Sequence, residues 1–169
     1  VNNLKEYYKD KKILITGATG FVGGWLALTL QSHFEAKVFG LGLEPVTNPS
    51  FYEVLNVANH IEKSFIGNIL DGALMQKIYD EVEPDIVFHL AAQPIVRKSY
   101  KEPINTFDTN IIGTLNILNC IKDRDKKINC VVVTSDKCYK NLEHGLPFKE
   151  DDPLGGFDPY SASKAACEI

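Results

Sequence analysis

Ser135, Asp136 and Lys137 stand in consecutive positions, a hydroxyl, a carboxylate and an ammonium side by side. Such a trio can hydrogen-bond an oxygen, donate a proton and, with the amine unprotonated, remove one. Downstream, Tyr160-Ser-Ala-Ser-Lys164 puts a phenol and a second ammonium at i and i+4, on one face of a helix. Alone, the first would read as a solvated turn and the second as a surface helix. Together, behind a glycine loop near the amino terminus, they read as an active site that moves protons in both directions.

The trio needs an element to deliver it. Ile128 to Thr134 is rich in branched apolar residues and predicts a buried strand. Its carboxyl end would hold Ser135–Lys137 in the crevice where open α/β sheets bind ligands. The glycine loop is Gly17-Ala-Thr-Gly20-Phe-Val-Gly23, between the strand-like run Lys12-Ile-Leu-Ile-Thr16 and the helical pattern Phe21 to Leu30. Gly17 permits a tight turn, Gly20 lets main-chain N–H groups approach a pyrophosphate, and Gly23 lets the helix pack closely on the strand. The helix N-terminus adds partial positive charge for the phosphates. With a strand before it and a helix after it, the loop predicts dinucleotide binding. Its spacing is Gly-x-x-Gly-x-x-Gly, not the Gly-x-Gly-x-x-Gly of the commoner dehydrogenases.

Strand and helix patterns alternate along the chain, which predicts βαβ units, a doubly wound parallel sheet and helices on both faces. Lys37–Leu41 reads as the second strand, and a loop bearing Pro, Asn and Ser follows at Pro45 to Ser50. Glu62–Ile66 reads as the third strand, Asp71 caps a helix running to about Val82, and Asp85–His89 is a fourth strand buried on both faces. Pro103 opens a long helix in which Phe107, Ile111, Leu115 and Leu118 recur at helical spacing. No repeat, low-complexity tract or linker interrupts the 169 residues, so they read as one domain. The pattern from Ala165 to Ile169 carries no Gly or Pro stop, so a truncated domain is expected.

Composition narrows the partners. With 18 basic and 22 acidic residues, the net charge of −4 gives no reason to expect nucleic acid or an anionic membrane. No apolar run approaches the roughly 20 residues that span a bilayer, and Val1–Asp10 lacks a signal-peptide core. Cys120, Cys130, Cys138 and Cys167 show no Cys-x-x-Cys pairing and read as free thiols of a reducing cytoplasm, not as a metal site. The four histidines show no ligand spacing. His89, inside an apolar strand, reads as a satisfied core histidine.

The loop, the Tyr-x-x-x-Lys pair and Leu90-Ala-Ala-Gln93 resemble the extended short-chain dehydrogenase/reductases that modify nucleotide sugars. Longer stretches, Thr16–Ala27, Thr47–Ser50, His89–Tyr100, Thr134–Tyr139 and Asp151–Lys164, are similar to the 4,6-dehydratase subgroup that acts on CDP-glucose. The Ser-Asp-Lys-Cys-Tyr and Asp-Pro-Leu-Gly-Gly segments are specific to that subgroup. The resemblance implies an NAD-dependent lyase of deoxysugar synthesis for cell-surface polysaccharide, a homodimer or homotetramer at full length, whose sugar-nucleotide portion follows the present residues.

It also implies roles. NAD would contact Gly17, Thr19, Gly20, Phe21, Val22 and Gly23, with Leu90, Ala91 and Ala92 beside it and Asn68 and Ile69 near the adenine. Asn110, Thr134, Tyr160 and Lys164 complete that set. Tyr160, as phenolate favoured by Lys164 and the nicotinamide charge, would take the sugar 4-hydroxyl proton, with Ser135 on the 4-oxygen. Lys137 would then remove the C5 proton while protonated Asp136 donates to the departing 6-hydroxyl. The chain departs from the dTDP-glucose dehydratases, which carry Glu in place of Lys137; a lysine in that role must be neutral. It departs also at Gly42, where NAD-binding folds usually carry an acid for the adenine ribose. Glu44, two residues on, either serves there or is a solvated loop carboxylate; no Arg stands nearby to favour a 2′-phosphate. A nucleotide-sugar 4-epimerase and a non-catalytic nucleotide-binding fragment remain the alternatives.

Overall fold

A computed structural model describes residues 2–122, 124–143 and 145–169. In chain order, α1 spans Asn2–Tyr8, β1 Lys12–Thr16, α2 Phe21–Ser32, β2 Lys37–Gly42, α3 Phe51–Val54, β3 Lys63–Ile66 and α4 Gly72–Val82. Then follow β4 Ile86–His89, α5 Val96–Lys101, α6 Pro103–Phe107, α7 Gly113–Lys122, β5 Asn129–Val132 and α8 Pro159–Ala166. The strands form one sheet in the order β3-β2-β1-β4-β5, and every pair is parallel. The doubly wound α/β class expected from the alternation is the fold observed.

β1 lies at the centre because it is apolar on both faces. Ile13, Leu14 and Ile15 are wholly buried, and successive side chains take opposite sides. Ile13 and Ile15 pack with Ala27 and Leu30 of α2 and with Val38. Leu14 packs with Met75, Ile78, Tyr79 and Val82 of α4 and with Ile117 of α7. Each such aliphatic side chain contributes about 1.5–3 kcal/mol when buried. The four α4 positions are spaced i, i+3, i+4, i+7, one apolar stripe. Asp71 caps that helix, its Oδ1 accepting from the Leu74 N–H at 2.9 Å. The strand order reverses between β1 and β4, and the crevice opens at their carboxyl ends.

Two expectations are corrected. The strand read from Ile128 to Thr134 as buried is the edge strand β5. Among the described residues it pairs only with β4, and Val131 and Val133 are 46% and 45% exposed. Branched residues bring strand propensity whether or not a second layer covers them. The long helix from Pro103 is interrupted by a π-turn at Asp108–Ile112. Of its apolar row, Phe107, Leu115 and Leu118 are exposed, while Thr106, Asn110, Thr114, Ile117 and Cys120 form the buried face. Periodicity locates a helix face; it does not say which neighbour that face meets. Here the neighbour is the polar interior described below as far as Thr114, and the apolar core at Ile117 and Cys120.

The turn from β1 into α2 is held by backbone contacts. Gly17 sits at φ +77°, and a Cβ there would lie 2.8 Å from the Ala91 nitrogen. A Cβ at Gly23 would lie 2.1 Å from the Gly17 carbonyl oxygen, whereas one at Gly20 would meet only that oxygen, at 3.2 Å. Gly23→Ala should therefore destabilise the protein by upward of about 2 kcal/mol, and Gly20→Ala by less than about 1 kcal/mol. Urea unfolding of the two variants checks this; equal losses would contradict the packing described.

Candidate active site

The crevice floor is the glycine loop. Gly20 caps α2 in an extended conformation and offers no side-chain bond. The first-turn N–H groups of Phe21, Val22 and Gly23 are thus left for a ligand at the positive end of the helix dipole. Leu90, Ala91 and Ala92 continue β4 and face the loop, as the contact between Gly17 and Ala91 shows. Over the end of β2, Thr19 takes the room an acid would need: a Cβ on Gly42 would meet its Oγ1 at 2.3 Å. Glu44 is exposed in the loop beyond. Asn68 is exposed and accepts from the Leu70 N–H through Oδ1 at 3.0 Å. The Ile69 side chain turns inward, close to Gly113, so this residue has only its main chain to offer a ligand.

Past β5 the chain turns sharply. Ser135 Oγ accepts from the Lys137 N–H at 2.9 Å and donates to Asp136 Oδ1 at 3.3 Å, capping a short 3-10 turn at Asp136–Cys138. Thr134 Oγ1 donates to Glu168. Asp136 and Lys137 line a cavity of about 330 Å³ together with Tyr139, Phe148, Gly156 and Ser161. The Tyr139 and Phe148 rings stack in its wall, 5.0 Å apart. Main-chain bonds from Gly155 N to the Cys138 carbonyl and from Lys140 N to the Pro153 carbonyl, both 2.8 Å, tie the wall together.

α8 packs beside that turn. Asp158 caps it, accepting from the Ser161 N–H at 3.0 Å, with Pro159 in the first turn. Tyr160 and Lys164 are both buried, one helical turn apart. Lys164 Nζ donates to the Val133 carbonyl at 3.0 Å, joining the helix to the end of β5. Burial pushes its ammonium pKa down. The fold thus brings the glycine loop, the Ser135–Lys137 turn and the Tyr160/Lys164 pair to one end of the sheet.

Sequence reasoning missed what holds Asn110. Its Oδ1 accepts from the Gln93 N–H at 2.8 Å, and its Nδ2 donates to Ser163 Oγ at 2.8 Å and to the Gln93 carbonyl at 3.3 Å. Ser163 Oγ donates to the Tyr160 carbonyl at 2.7 Å. Asn110 lies in the π-turn, an irregularity frequent at functional sites. A signal was present: Gln93, Asn110 and Ser163 are polar residues at inward positions. His89, read as a core histidine, is buried between Thr16 and Thr114, and burial, with the Lys164 charge, pushes its pKa down to about 4.

The family model described as GDP-mannose 4,6 dehydratase matches residues 14–169. The chain belongs to this family. It is one of the extended short-chain dehydrogenase/reductases. CDP-glucose 4,6-dehydratase of Salmonella typhimurium is 42% identical to it, over 98% of this chain and 45% of that protein. dTDP-D-glucose 4,6-dehydratase of Dictyostelium discoideum is 35% identical, over 98% and 41%. Among solved structures, an epimerase of Methanothermobacter thermautotrophicus matches with a TM-score of 0.82 at 27% identity, over 97% of this chain and 47% of that one. UDP-glucose-4-epimerase of Stenotrophomonas maltophila, with bound NAD, matches with 0.78 at 25%, over 94% and 46%. This member of the dehydratase family spans less than half the length of these relatives. Among its described residues no helix is long and apolar enough to cross a membrane.

His89 makes this family member acid-sensitive in a defined window. Its folded pKa of about 4 lies below the ordinary 6.5, so between those values the unfolded chain binds a proton that the folded chain refuses. Stability is full above 6.5 and falls with pH across the window, by about 3 kcal/mol at most. Urea midpoints of the protein and its His89→Gln variant at pH 7.5 and 4.5 should show a smaller loss for the variant. Equal losses would contradict a histidine buried in neutral form.

Proposed function

We propose that this chain is the cofactor-binding half of an NAD-dependent nucleotide-sugar 4,6-dehydratase that converts CDP-glucose to CDP-4-keto-6-deoxyglucose, for deoxysugars of cell-surface polysaccharide. The observation that carries the reading is the 42% identity to a CDP-glucose 4,6-dehydratase across 98% of the chain. The sugar-nucleotide portion belongs, on this reading, to the remainder of the full-length protein.

The crevice fits a dinucleotide: an uncapped helix N-terminus, a glycine at Gly20 with little protein against it, and a close wall at Ala91. Bound there, NAD would supply a hydride acceptor for C4 and return the hydride to C6. Tyr160 takes the 4-hydroxyl proton, and Lys164, one turn on, favours its phenolate. Ser135, already oriented by the Lys137 N–H, hydrogen-bonds the 4-oxygen. The 4-ketone acidifies the C5 proton, which unprotonated Lys137 removes while protonated Asp136 donates to the departing 6-hydroxyl, and Lys137 gives that proton back to C5 when C6 is reduced. A 4-epimerase would share the loop and Tyr160/Lys164 but has no use for an acid–base pair at C5–C6. The four cysteines are free thiols, which suit a reducing compartment, and the cytoplasm is the proposed location.

Asp136→Asn and Lys137→Met in the full-length protein, mixed with CDP-glucose, should reduce bound NAD+ and stall, so NADH absorbance accumulates. Product formation should fall on the order of 10² to 10⁴-fold. Tyr160→Phe should bind cofactor yet give neither NADH nor product. Normal product from both trio variants would remove Asp136 and Lys137 from the elimination, while a C4-inverted hexose in place of any 4-keto-6-deoxy product from the wild type would return the epimerase reading to the front.

The full-length protein is further proposed to be a homodimer or homotetramer. The outward row of Phe107, Leu115 and Leu118 supports this, being apolar surface that a second copy of the same helix would cover. Leu115→Asp with Leu118→Asp should reduce the sedimenting mass to that of a monomer; an unchanged mass would remove the row from the interface.

A further inference from the structure

His89 ends β4 in the middle of the sheet and makes a bond from each ring nitrogen: Nδ1 with Thr16 Oγ1 at 2.6 Å and Nε2 with Thr114 Oγ1 at 2.9 Å. The proton positions follow from the partners. Thr114 Oγ1 spends its single hydrogen on the Asn110 carbonyl, 2.6 Å away. It therefore accepts from His89, and the ring carries its proton on Nε2. Nδ1 is then an acceptor and takes the hydrogen of Thr16. Thr16 Oγ1 in turn accepts from the Ala91 N–H at 3.3 Å. The bonds run outward from one neutral tautomer, with each hydroxyl both donating and accepting. A charged ring would donate at both nitrogens and leave the wholly buried Thr16 hydroxyl with a hydrogen to place elsewhere.

Both ends of this chain of bonds reach the proposed site. Thr16 immediately precedes Gly17, and Ala91 forms the wall against the glycine loop. Asn110 holds Ser163, the residue before Lys164, and Ser163 holds the Tyr160 carbonyl. The ring is 2% exposed and enclosed by protein, so it can act on substrate or cofactor only through its neighbours. We propose that His89 is a positioning residue for the oxidation step, joining the cofactor cradle to the helix that carries Tyr160 and Lys164. The proposal rests on the dehydratase reading above. A ring that spaces cradle and helix acts on the alignment of sugar, base and cofactor, where a displacement of about 1 Å can cost about 10²-fold in rate.

Three substitutions separate positioning from plain packing. His89→Phe keeps a buried ring and deletes both bonds. His89→Gln supplies a carboxamide whose oxygen and nitrogen are 1,3-related, like the ring nitrogens, and so can accept from Thr16 and donate to Thr114. Thr114→Val, one link further on, deletes the bond to His89 with little change of shape.

The experiment is single-turnover reduction of bound NAD+ by CDP-glucose in the full-length protein, beside NAD affinity by calorimetry. His89→Phe is expected to lose about 10 to 100-fold in the single-turnover rate. Its NAD affinity, measured on folded protein, should change little. His89→Gln should recover to within about threefold of wild type. Thr114→Val should fall with His89→Phe, and the double variant should be little worse than either, because one chain of bonds is cut twice.

A Phe variant that keeps its rate, or a Gln variant as slow as Phe, overturns the proposal. Nitrogen-15 NMR of His89 reads the ring directly: the Nε2–H tautomer is expected, and an Nδ1–H or charged ring at neutral pH also overturns it. Wild-type protein that reduces no NAD+ with any nucleotide hexose overturns the functional reading and this role together, while the NMR measurement still decides whether the bonds exist.

Discussion

Everything at the working end of this sheet depends on one backbone-to-backbone contact. The main chain at Gly17 lies against Leu90 and Ala91, and Gly23 lies against the Gly17 carbonyl, at distances that leave no room for a Cβ. That contact draws the carboxyl ends of β1 and β4 together and aims the α2 N-terminus at the crevice between them. The loop lies where the strand order reverses and the connections diverge, and this close main-chain approach, with the Thr16 bonds to Ala91 and His89, closes the gap.

Around this contact the interior is polar, which is costly unless every group is satisfied. Thr16, His89, Thr114, Asn110, Gln93 and Ser163 meet that demand by bonding to one another in a continuous series. Each bond constrains direction as well as distance, so the series holds its elements in one arrangement where an apolar core would tolerate repacking. Lys164, next to Ser163 in the chain, lies beside this series. It is buried, its charge is disfavoured by that burial, and a carbonyl of β5 meets its ammonium. In the proposed function this amine would act on the Tyr160 phenol, one helical turn away.

The surfaces follow a different logic. Along α6 and the start of α7 the polar Thr106, Asn110 and Thr114 face in and Phe107, Leu115 and Leu118 face out, the reverse of a surface helix on an apolar core, until Ile117 and Cys120 return to that core. The inversion has a local cause: the inner face must serve Gln93 and Ser163, so Asn110 and Thr114 occupy it. The exposed Val131 and Val133 have a similar origin, for they sit in and just past β5, an edge strand with a single neighbour among the described residues. Both features are found in a chain spanning less than half the length of its curated relatives.

Much of this was legible in the residues alone. The five strands, the glycine turn, the Asp71 cap and the Tyr160/Lys164 helix follow from local rules: β-branching, φ tolerance, capping chemistry and a 3.6-residue period. Local rules have no term for what lies across the sheet. They found the helix from Pro103 but not its orientation, and they read β5 as buried because a branched run looks the same in the middle of a sheet and at its edge. They marked His89 as a core residue without showing that its two nitrogens link Thr16 to Thr114, 73 residues away on one side and 25 on the other. The sequence by itself determined which elements form and which groups could do chemistry. Only the tertiary structure decided which of those groups meet, because long-range hydrogen bonds depend on direction in space and leave no periodic trace along the chain.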